Sequence, residues 1–385
     1  MKKIPRLCCL LLCVLLIVSL LASCTPEEQP EPVDEPGGEV PAPFKIGIVT
    51  GTVSQGEDEY RAGEQMKERY GDRVIHVTYP DNFMAEQETT IGQIAGLASD
   101  PDVKIIAICQ GVPGTAAAID QIRQTRDDII IVVVSPHEDP AMIDKKADLA
   151  LDVNNLARGA AIVRLANAMG ATKLLHYSFP RHMSMELLAT RRQQMEEECE
   201  RLGMEFIFVT APDPMGPDGI PGAQKFILED VPRQVEQHGK DIAVFSTNCG
   251  MQEPLITAAL EHGAIFPEQC CPSPTHGYPG ALGLDVSGIA GDMPKIVAAI
   301  EEKIVEKGGA GRFATWPVPI NMALLRGGIE LAILALEGEA ELTNMEDISR
   351  ILEQETGVSV ELQRYSEDGN LFLALVGSVI FGLDN

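Results

Sequence analysis

Short apolar segments alternate with amphipathic segments along the chain from residue 44 to about residue 318. The run DIIIVVVS (128–135) contains six consecutive apolar residues, which is typical of a strand that helices cover on both faces. The segment EDEYRAGEQMKERYG, which lies shortly after the first strand-like run FKIGIVTG, has instead the spacing of a helix. This alternation predicts a doubly wound α/β lobe with a parallel sheet.

The same plan begins again at the helical segment LARGAAIVRLANAMG (156–170). From there, the strand-like runs KLLHYS, EFIFVT and DIAVFST each precede a helical segment. The chain is longer than a domain with one hydrophobic core usually is, so we expect two Rossmann-like lobes. Lobe one is expected at 44–153 and lobe two at 154–283. We also expect a segment at about 284–312 to return to lobe one, and residues 313–385 to form a C-terminal extension packed on the lobes.

The first 43 residues differ in character from the rest of the chain. The chain begins with basic residues, and 17 uncharged residues follow at 7–23, which is typical of a signal peptide at residues 1–23. A transmembrane anchor is the alternative for an uncharged run of this length. The sequence Leu-Ala-Ser-Cys that ends at Cys24 resembles a bacterial lipobox, which implies cleavage before Cys24 and a lipid on its thiol. Residues 24–43 then form an acidic, proline-rich tether, because their composition does not allow a buried core. We therefore expect a lipid anchor at the extracytoplasmic face of the cell membrane.

The segment LDVNNLARGAA (151–161) resembles the hinge crossing of type I periplasmic binding proteins and their regulator relatives, where a strand of one lobe ends in Asp and Asn and opens a helix of the other. The segment ALGLDVSGIAGDMPKIVAAIEEKI (281–304) is similar to the return strand and helix of that family. The resemblance implies two lobes joined by hinge crossings near Asn154, Asp285 and Trp316, with a ligand cleft between them. With its lipobox, the chain also resembles an uncharacterised family of bacterial lipoproteins similar to solute-binding proteins.

The charge of the chain restricts its partners. There are 57 acidic and 30 basic residues, which give a formal net charge of −27, and we find no basic stripe. Because such a surface repels a phosphate backbone, we exclude nucleic acid as a partner.

Five cysteines remain beyond the signal peptide and the lipobox, namely Cys109, Cys199, Cys249, Cys270 and Cys271. An odd number argues against a complete disulfide framework, and no Cys/His spacing is typical of a zinc site. The sequence therefore predicts no metal and no cofactor, with a disulfide between the adjacent Cys270 and Cys271 as an alternative.

The loops that follow the strands contain the candidate ligand-binding residues, because ligands of open α/β sheets bind at the carboxyl ends of the strands. Amides, histidines and an arginine there suit hydrogen bonding to a small polar molecule such as a nucleoside, sugar, amino acid or signalling molecule. For each side chain, a solvated turn is the alternative. The predicted ligand-binding residues are Ser54, Gln55, Gln110 and His137 in lobe one and Arg181, His182 and Asn248 in lobe two.

Gly51 and Gly56 have the spacing of a P-loop, but three acidic residues, 57–59, follow where a lysine is required. Ser54 and Glu57 match a helix capping box, which explains the same residues without a ligand. The acidic helix start disfavours phosphate esters as ligands.

These patterns favour a membrane-anchored solute-binding lipoprotein that serves an ABC importer, the permease being implied by the resemblance. A ligand sensor for a membrane receptor is the alternative. A third possibility is an exported racemase, because Cys109 and Cys249 follow strands at matching positions of the two lobes, as in cofactor-independent amino-acid racemases. The threonine-rich motifs of those enzymes are absent around both cysteines, so we expect no enzyme activity.

We predict that Cys24→Ala abolishes acylation and leaves the precursor uncleaved, because the lipoprotein peptidase acts on the acylated cysteine. Mass spectrometry of the protein from membrane fractions measures both effects. Recovery from wild-type cells of an unlipidated mature protein that is cut elsewhere would contradict the lipid anchor.

Overall fold

The computed structural model describes residues 44–289 and 291–383. The predicted signal peptide, the lipid on Cys24 and the tether lie outside these residues. Within the two described ranges, no helix combines the length and the apolar character that crossing a bilayer requires.

Strands and helices alternate along the described chain as the sequence predicts. The strands are β1 Lys45–Thr50, β2 Val74–Thr78, β3 Val103–Cys109, β4 Ile130–Val134, β5 Leu149–Val153, β6 Lys173–Ser178, β7 Glu205–Thr210, β8 Ile242–Ser246, β9 Ala314–Thr315, β10 Glu361–Arg364, β11 Leu371–Leu375 and β12 Val379–Ile380. The helices are α1 Glu57–Tyr70, α2 Gln87–Leu97, α3 Thr115–Arg123, α4 Pro140–Lys146, α5 Asn155–Ala168, α6 Pro180–Met183, α7 Glu186–Leu202, α8 Gly219–His238, α9 Gln252–His262, α10 Tyr278–Leu282, α11 Met293–Glu306, α12 Ile320–Leu336 and α13 Met345–Thr356.

Lobe one is built on a seven-stranded sheet in the order β10-β11-β5-β4-β3-β1-β2, in which β10 runs antiparallel to β11 and the other pairs are parallel. Successive residues of β3 alternate between two cores: Ile105 and Ala107 face one, and Ile106 and Ile108 face the other. Helices α1, α12 and α13 cover the first face, and α2, α3 and α4 cover the second. Burial on both faces explains the unbroken apolar runs.

Lobe two has the parallel strand order β7-β6-β8, continued by single bridges from Ala243 to Ile265 and from Phe266 to Phe313. The antiparallel pair of β9 and β12 follows the second bridge. Helices α5 and α7 pack on one face of this sheet, and α8 to α11 pack on the other. The predicted fold class, two doubly wound lobes, is confirmed.

The chain crosses between the lobes at three places in its described part, and one of them differs from the prediction. The first crossing is at Asn154, between β5 and α5, as expected. The second follows Trp316, between β9 and α12, also as expected. The third lies between β11 and β12 at residues 376–378, whereas the crossing predicted near Asp285 does not occur.

The predicted return segment at 284–312 lies in lobe two instead of lobe one. Helix α11 places Ile296, Ile300 and Ile304 in the core of lobe two. Their spacing of four residues gives the apolar stripe of a surface helix, and such a stripe does not specify which sheet it covers.

The predicted C-terminal extension is part of both lobes rather than an added segment. Residues 320–375 complete lobe one, where β11 pairs with β5 and β10 then forms the edge of the seven-stranded sheet. The apolar run 369–382 supplies β11 to lobe one and β12 to lobe two, so its two strands do not pair with each other.

One buried carboxylate, Glu268, connects the three crossings. Arg158 of α5 donates to Oε1 of Glu268 from Nε and Nη2 at 2.8 and 2.5 Å. Trp316 donates from Nε1 to Oε2 at 2.6 Å, and Ser378 donates from Oγ to the same oxygen at 3.2 Å. The Trp316 side chain is itself buried, with only 1% of it exposed.

We predict that Glu268→Gln lowers the free energy of unfolding by about 3–5 kcal/mol, because it leaves the buried Arg158 guanidinium without its counter-charge. Adding Arg158→Met should restore at least half of the loss, since the uncompensated charge is then removed. Urea unfolding measures both values.

Glu57→Gln is the control, because Glu57 pairs with Arg61 on the exposed face of α1 and such pairs contribute about 0.5 kcal/mol or less. An unchanged stability of Glu268→Gln would show that this ion pair does not hold the crossings together.

Candidate functional site

A cavity of about 390 Å³ lies between the lobes, at the carboxyl ends of the strands of both sheets. Its position follows from the topology, because the chain crosses between the lobes at strand ends and leaves the loops of both sheets facing each other. All seven predicted ligand-binding residues line this one cavity, namely Ser54, Gln55, Gln110, His137, Arg181, His182 and Asn248. Their contact with a ligand stays a prediction.

Gln110 has the most constrained position on the lobe-one wall. Its φ is 67°, a left-handed conformation that is uncommon for residues other than glycine, and neighbouring Ser135 has a φ of 49°. The side chain accepts a hydrogen bond from Tyr79 and donates to Glu59 at 3.4 Å. Strain of this kind is concentrated at functional sites, which singles out Gln110 among the predicted residues.

The other predicted lobe-one residues lie in two loops. Ser54 donates to Asp81 at 3.1 Å, and Gln55 donates from Nε2 to the carbonyl oxygen of Asp81 at 2.9 Å. Burial and the nearby charge of Arg181 lower the pKa of His137 to about 4, so its ring is neutral at pH 7.

The predicted capping box at Ser54 and Glu57 is wrong. Helix α1 begins at Glu57, its N-cap is Gly56, and no side chain caps it. The Ser54 hydroxyl instead contacts Thr52 and Asp81, because the turn before α1 directs it towards the loop that follows β2.

The predicted lobe-two residues are held by neighbouring side chains. Arg181 forms a bidentate pair with Asp213 at 2.9 and 2.8 Å, so its charge is already compensated. His182 is buried, and its Nδ1 lies 3.1 Å from the Thr247 hydroxyl. Asn248 caps the short helical turn that follows β8 by accepting a hydrogen bond from the Gly250 amide.

Arg191 is a cavity-lining residue that the sequence analysis missed. It lies on α7, is 1% exposed, and donates from Nη1 to Asn155 at 2.7 Å. Its Nε and Nη2 are buried without a hydrogen-bond partner in the described chain. Burial, and then the neighbouring charge of Arg158, lower its pKa to about 9, and the guanidinium lies 5.0 Å from the centre of the Phe245 ring.

A signal for Arg191 was present in the sequence. Leu187, Arg191, Met195 and Cys199 occur at intervals of four residues, so they share one face of α7, and all four are buried. An arginine within an apolar stripe of this kind is a buried cation that needs a partner. The predicted ligand-binding residues all come from loops after strands, and α7 lies outside these loops.

Asp152, at the end of β5, supplies an acidic group to the same cavity. Burial raises its pKa to about 7, against the lowering effect of its hydrogen bond from the Val153 amide and of Arg158 and Arg191. The cavity therefore contains a titratable carboxyl as well as a buried guanidinium.

Three thiols form a cluster on the lobe-two wall. The sulfur of Cys249 lies 3.5 Å from that of Cys270 and 3.7 Å from that of Cys271, and all three cysteines are reduced. The alternative disulfide between Cys270 and Cys271 is therefore not formed. A second cavity, of about 270 Å³, shares Cys249 and Cys271 with the first and is also lined by His276.

The geometry gives no support to the two-cysteine racemase. Cys109 is completely buried in the core of lobe one and is not among the residues that line the cavity, whereas Cys249 does line it. A proton transfer between these two thiols through a bound substrate would need both of them at the cavity.

The solved structures that resemble this chain define its class. A protein described as a transcriptional regulator from Clostridium difficile 630 has a TM-score of 0.74 and 26% identity, with 88% of this chain and 99% of that chain covered. The substrate-binding protein of a sugar ABC transport system from Bordetella parapertussis 12822 has a TM-score of 0.55 and 10% identity, with 88% and 90% covered. An ABC-transporter periplasmic solute-binding protein from Actinobacillus succinogenes 130z, with bound D-allose, has a TM-score of 0.52 and 13% identity, with 77% and 92% covered.

The fold is that of type I periplasmic binding proteins and their regulator relatives, as predicted, and it is a ligand-binding fold. The three proteins of similar structure are binding and regulator proteins, which fits the expectation that the chain is not an enzyme. Within this class, residues 44–314 match the family described as Protein of unknown function (DUF3798), and the chain belongs to that family.

Two proteins of Treponema pallidum (strain Nichols), each described as an uncharacterized protein, are similar in sequence. The first is 39% identical over 180 residues, which cover 45% of this chain and 81% of that protein. The second is 32% identical over 217 residues, which cover 56% of this chain and 97% of that protein.

We predict that Asp152→Asn stabilises the unliganded protein at pH 8 but not at pH 4. The folded state keeps the Asp152 proton up to about pH 7, whereas the unfolded chain releases it above about pH 4. Ionisation therefore favours the unfolded state increasingly as the pH rises between these values, by up to about 4 kcal/mol above pH 7.

Urea unfolding of the wild type and Asp152→Asn across this pH range checks the prediction. Asp127→Asn, at an exposed position, is the matched control. A stability difference between Asp152→Asn and the wild type that is the same at both pH values would rule out a raised pKa for Asp152.

Proposed function

We propose that the protein is a lipid-anchored extracytoplasmic binding protein that captures a small, carboxylate-bearing polar solute between its lobes and delivers it to an ABC importer. The observation that carries this proposal is the cavity, whose walls come from both lobes and contain a buried guanidinium with two unused donor nitrogens. The lipid anchor rests on the sequence that ends at Cys24. The importer is supported by the likeness in fold to substrate-binding proteins of ABC transport systems.

The charges around the cavity favour a solute with a carboxylate. Arg158 is neutralised by Glu268 and Arg181 is neutralised by Asp213, so these two cations are not available to a ligand. Arg191 has only the neutral Asn155 as a hydrogen-bond acceptor. A buried cation without a counter-charge is costly, and a planar carboxylate matches the paired donors of a guanidinium.

The rest of the solute would meet uncharged hydrogen-bonding groups. Gln110 and the neutral His137 lie on the lobe-one wall, and Asn248 lies on the lobe-two wall. Sugar acids and amino acids both combine a carboxylate with further polar groups, so both fit this set of side chains.

Closure of the cleft would follow from contacts that one solute makes with both lobes at once. Hydrogen bonds already join the lobes, since Thr275 donates to Asp58 at 3.0 Å and Tyr365 donates to Glu186 at 2.8 Å. A solute that bridges Gln110 and Arg191 adds to these contacts only in the closed form, and it therefore shifts the population towards closure.

A sensor that reports the bound solute to a membrane receptor is the second candidate, favoured by the likeness to the Clostridium difficile regulator. The two functions share the binding step and differ in the fate of the bound solute. Uptake of the labelled solute by cells that lack the protein distinguishes them, because loss of uptake supports transport and unchanged uptake supports sensing.

We predict that Arg191→Met weakens the binding of a carboxylate solute by at least about 30-fold, which corresponds to the 2–5 kcal/mol typical for loss of one partner of a buried charge pair. The same change should leave the stability of the unliganded protein unchanged or raise it, because it removes an uncompensated buried charge. A thermal-shift screen of sugar acids, amino acids and neutral sugars, followed by calorimetry, measures these effects.

Arg192→Met is the matched control, because Arg192 is the adjacent residue of α7 but lies over the Phe208 ring at 4.1 Å and does not line the cavity. It should bind the solute as the wild type does. Binding of neutral sugars alone would refute the carboxylate assignment, and binding without contraction of the X-ray scattering envelope would refute closure.

A further inference from the structure

Four groups with metal-binding donor atoms, from three loops of the chain, meet on the lobe-two wall of the cleft. Cys249 follows β8, Cys270 and Cys271 follow the bridged segment at residues 265–266, and His276 lies in the next turn. The sulfurs of Cys249 and Cys270 and a ring nitrogen of His276 all lie within 4.8 Å of one another. The sequence analysis predicted no metal site, because no Cys/His spacing in it is typical of a zinc site.

The separations of the sulfurs match those of a metal-bound pair. Two sulfurs that bind a tetrahedral Zn²⁺ at about 2.3 Å lie roughly 3.8 Å apart. The Cys249 sulfur is 3.5 Å from the Cys270 sulfur and 3.7 Å from the Cys271 sulfur. Only small side-chain movements would therefore be needed to admit an ion.

The backbone segments that hold these thiols are fixed by buried hydrogen bonds. Gln252 donates to the carbonyl oxygen of Asn248 at 2.8 Å and accepts from the Cys270 amide at 3.4 Å, so it connects the segments of Cys249 and Cys270. Arg158 donates to the carbonyl oxygen of Cys270 at 3.0 Å, and Glu268 holds Arg158 in turn. A metal site needs this kind of support, because its ligands must keep their geometry before the ion arrives.

His276 is oriented by a further hydrogen bond. Its Nδ1 lies 2.9 Å from the carbonyl oxygen of Cys271, and it donates in that contact because a carbonyl oxygen can only accept. A proton on Nδ1 leaves the lone pair on Nε2, which is the usual arrangement of a metal-binding histidine.

We propose that Cys249, Cys270 and His276 bind a thiophilic d¹⁰ metal ion of the Zn²⁺ type. Two sulfurs and one imidazole are a ligand set that leaves a fourth position free on a tetrahedral ion. Cys271 is a further donor, and the position also borders the cleft, whose lining includes all three cysteines. Binding forms two metal–sulfur bonds and one metal–nitrogen bond, replaces water on the hydrated ion and releases the two thiol protons to solvent, with no change of oxidation state.

The test is a titration of the reduced full chain with Zn²⁺ under anaerobic conditions and without any solute, followed by native mass spectrometry. We expect one ion per chain. With Co²⁺ as the probe, we expect a thiolate-to-metal absorption band, which binding at surface carboxylates would not give.

Two variants assign the ligands. Cys249→Ser combined with Cys270→Ser should weaken Zn²⁺ binding by more than about 100-fold and remove the Co²⁺ band. His276→Gln should weaken Zn²⁺ binding while keeping a thiolate band. This variant tests the site even if the double variant fails to fold, because His276 lies on a partly exposed turn, where substitution should not disturb the fold. Cys199→Ala, which removes a buried thiol from the other core of lobe two, is the matched control and should bind like the wild type.

Three results would overturn the proposal: no Zn²⁺ bound by the reduced wild type, wild-type affinity in both ligand variants, or a Co²⁺ spectrum without a thiolate band. If Cys249 and Cys270 form a disulfide in the isolated protein, and the protein still binds no Zn²⁺ after this disulfide is reduced, the proposal is overturned as well. Because no solute is present, these results are independent of whether the cleft binds a carboxylate.

Discussion

The ion pair between Arg158 and Glu268 is the constraint on which the arrangement of the two lobes depends. Glu268 accepts hydrogen bonds from Arg158 just beyond the first crossing, from Trp316 at the second and from Ser378 at the third. A buried carboxylate must find donors, because leaving it unpaired costs several kcal/mol. Three separate stretches of chain are therefore held at one point, from which Arg158 also reaches the lining of the cavity.

The same network determines where the functional groups of lobe two lie. Arg158 also donates to the carbonyl oxygens of Gln269 and Cys270, and thereby fixes the backbone beside the thiol cluster. Asn155, which opens α5, accepts from both Arg158 and Arg191, so the compensated and the uncompensated guanidinium share one acceptor. The hinge, the proposed carboxylate site and the proposed metal site are thus parts of one hydrogen-bonded system.

The distribution of charge in the cleft distinguishes structural cations from available ones. Arg158 and Arg181 have carboxylate partners within the chain and serve to hold backbone segments. Arg191 is buried without a carboxylate partner, Asp152 is buried without an ion pair in the described chain, and burial shifts the pKa of each towards its neutral form. A solute that carries a complementary charge would relieve the desolvation cost at these groups. The selectivity of the cleft for solutes therefore depends on the charged groups that have no ion-pair partner within the fold.

The sequence by itself determined the two α/β lobes and the seven residues that line the cavity, because apolar periodicity and the position of side chains after strand ends are local properties. The crossing at Asn154 was implied by the resemblance of its segment to a known hinge. It did not determine to which lobe α11 belongs, since the stripe of Ile296, Ile300 and Ile304 fits either sheet. The pairing of β11 with β5, the neutralisation of Arg181 by Asp213 and the meeting of Cys249 with Cys270 were decided only by the tertiary structure. Each of these contacts joins residues that are distant in the chain, and their geometry exists only once the lobes have packed and the buried charges have found partners.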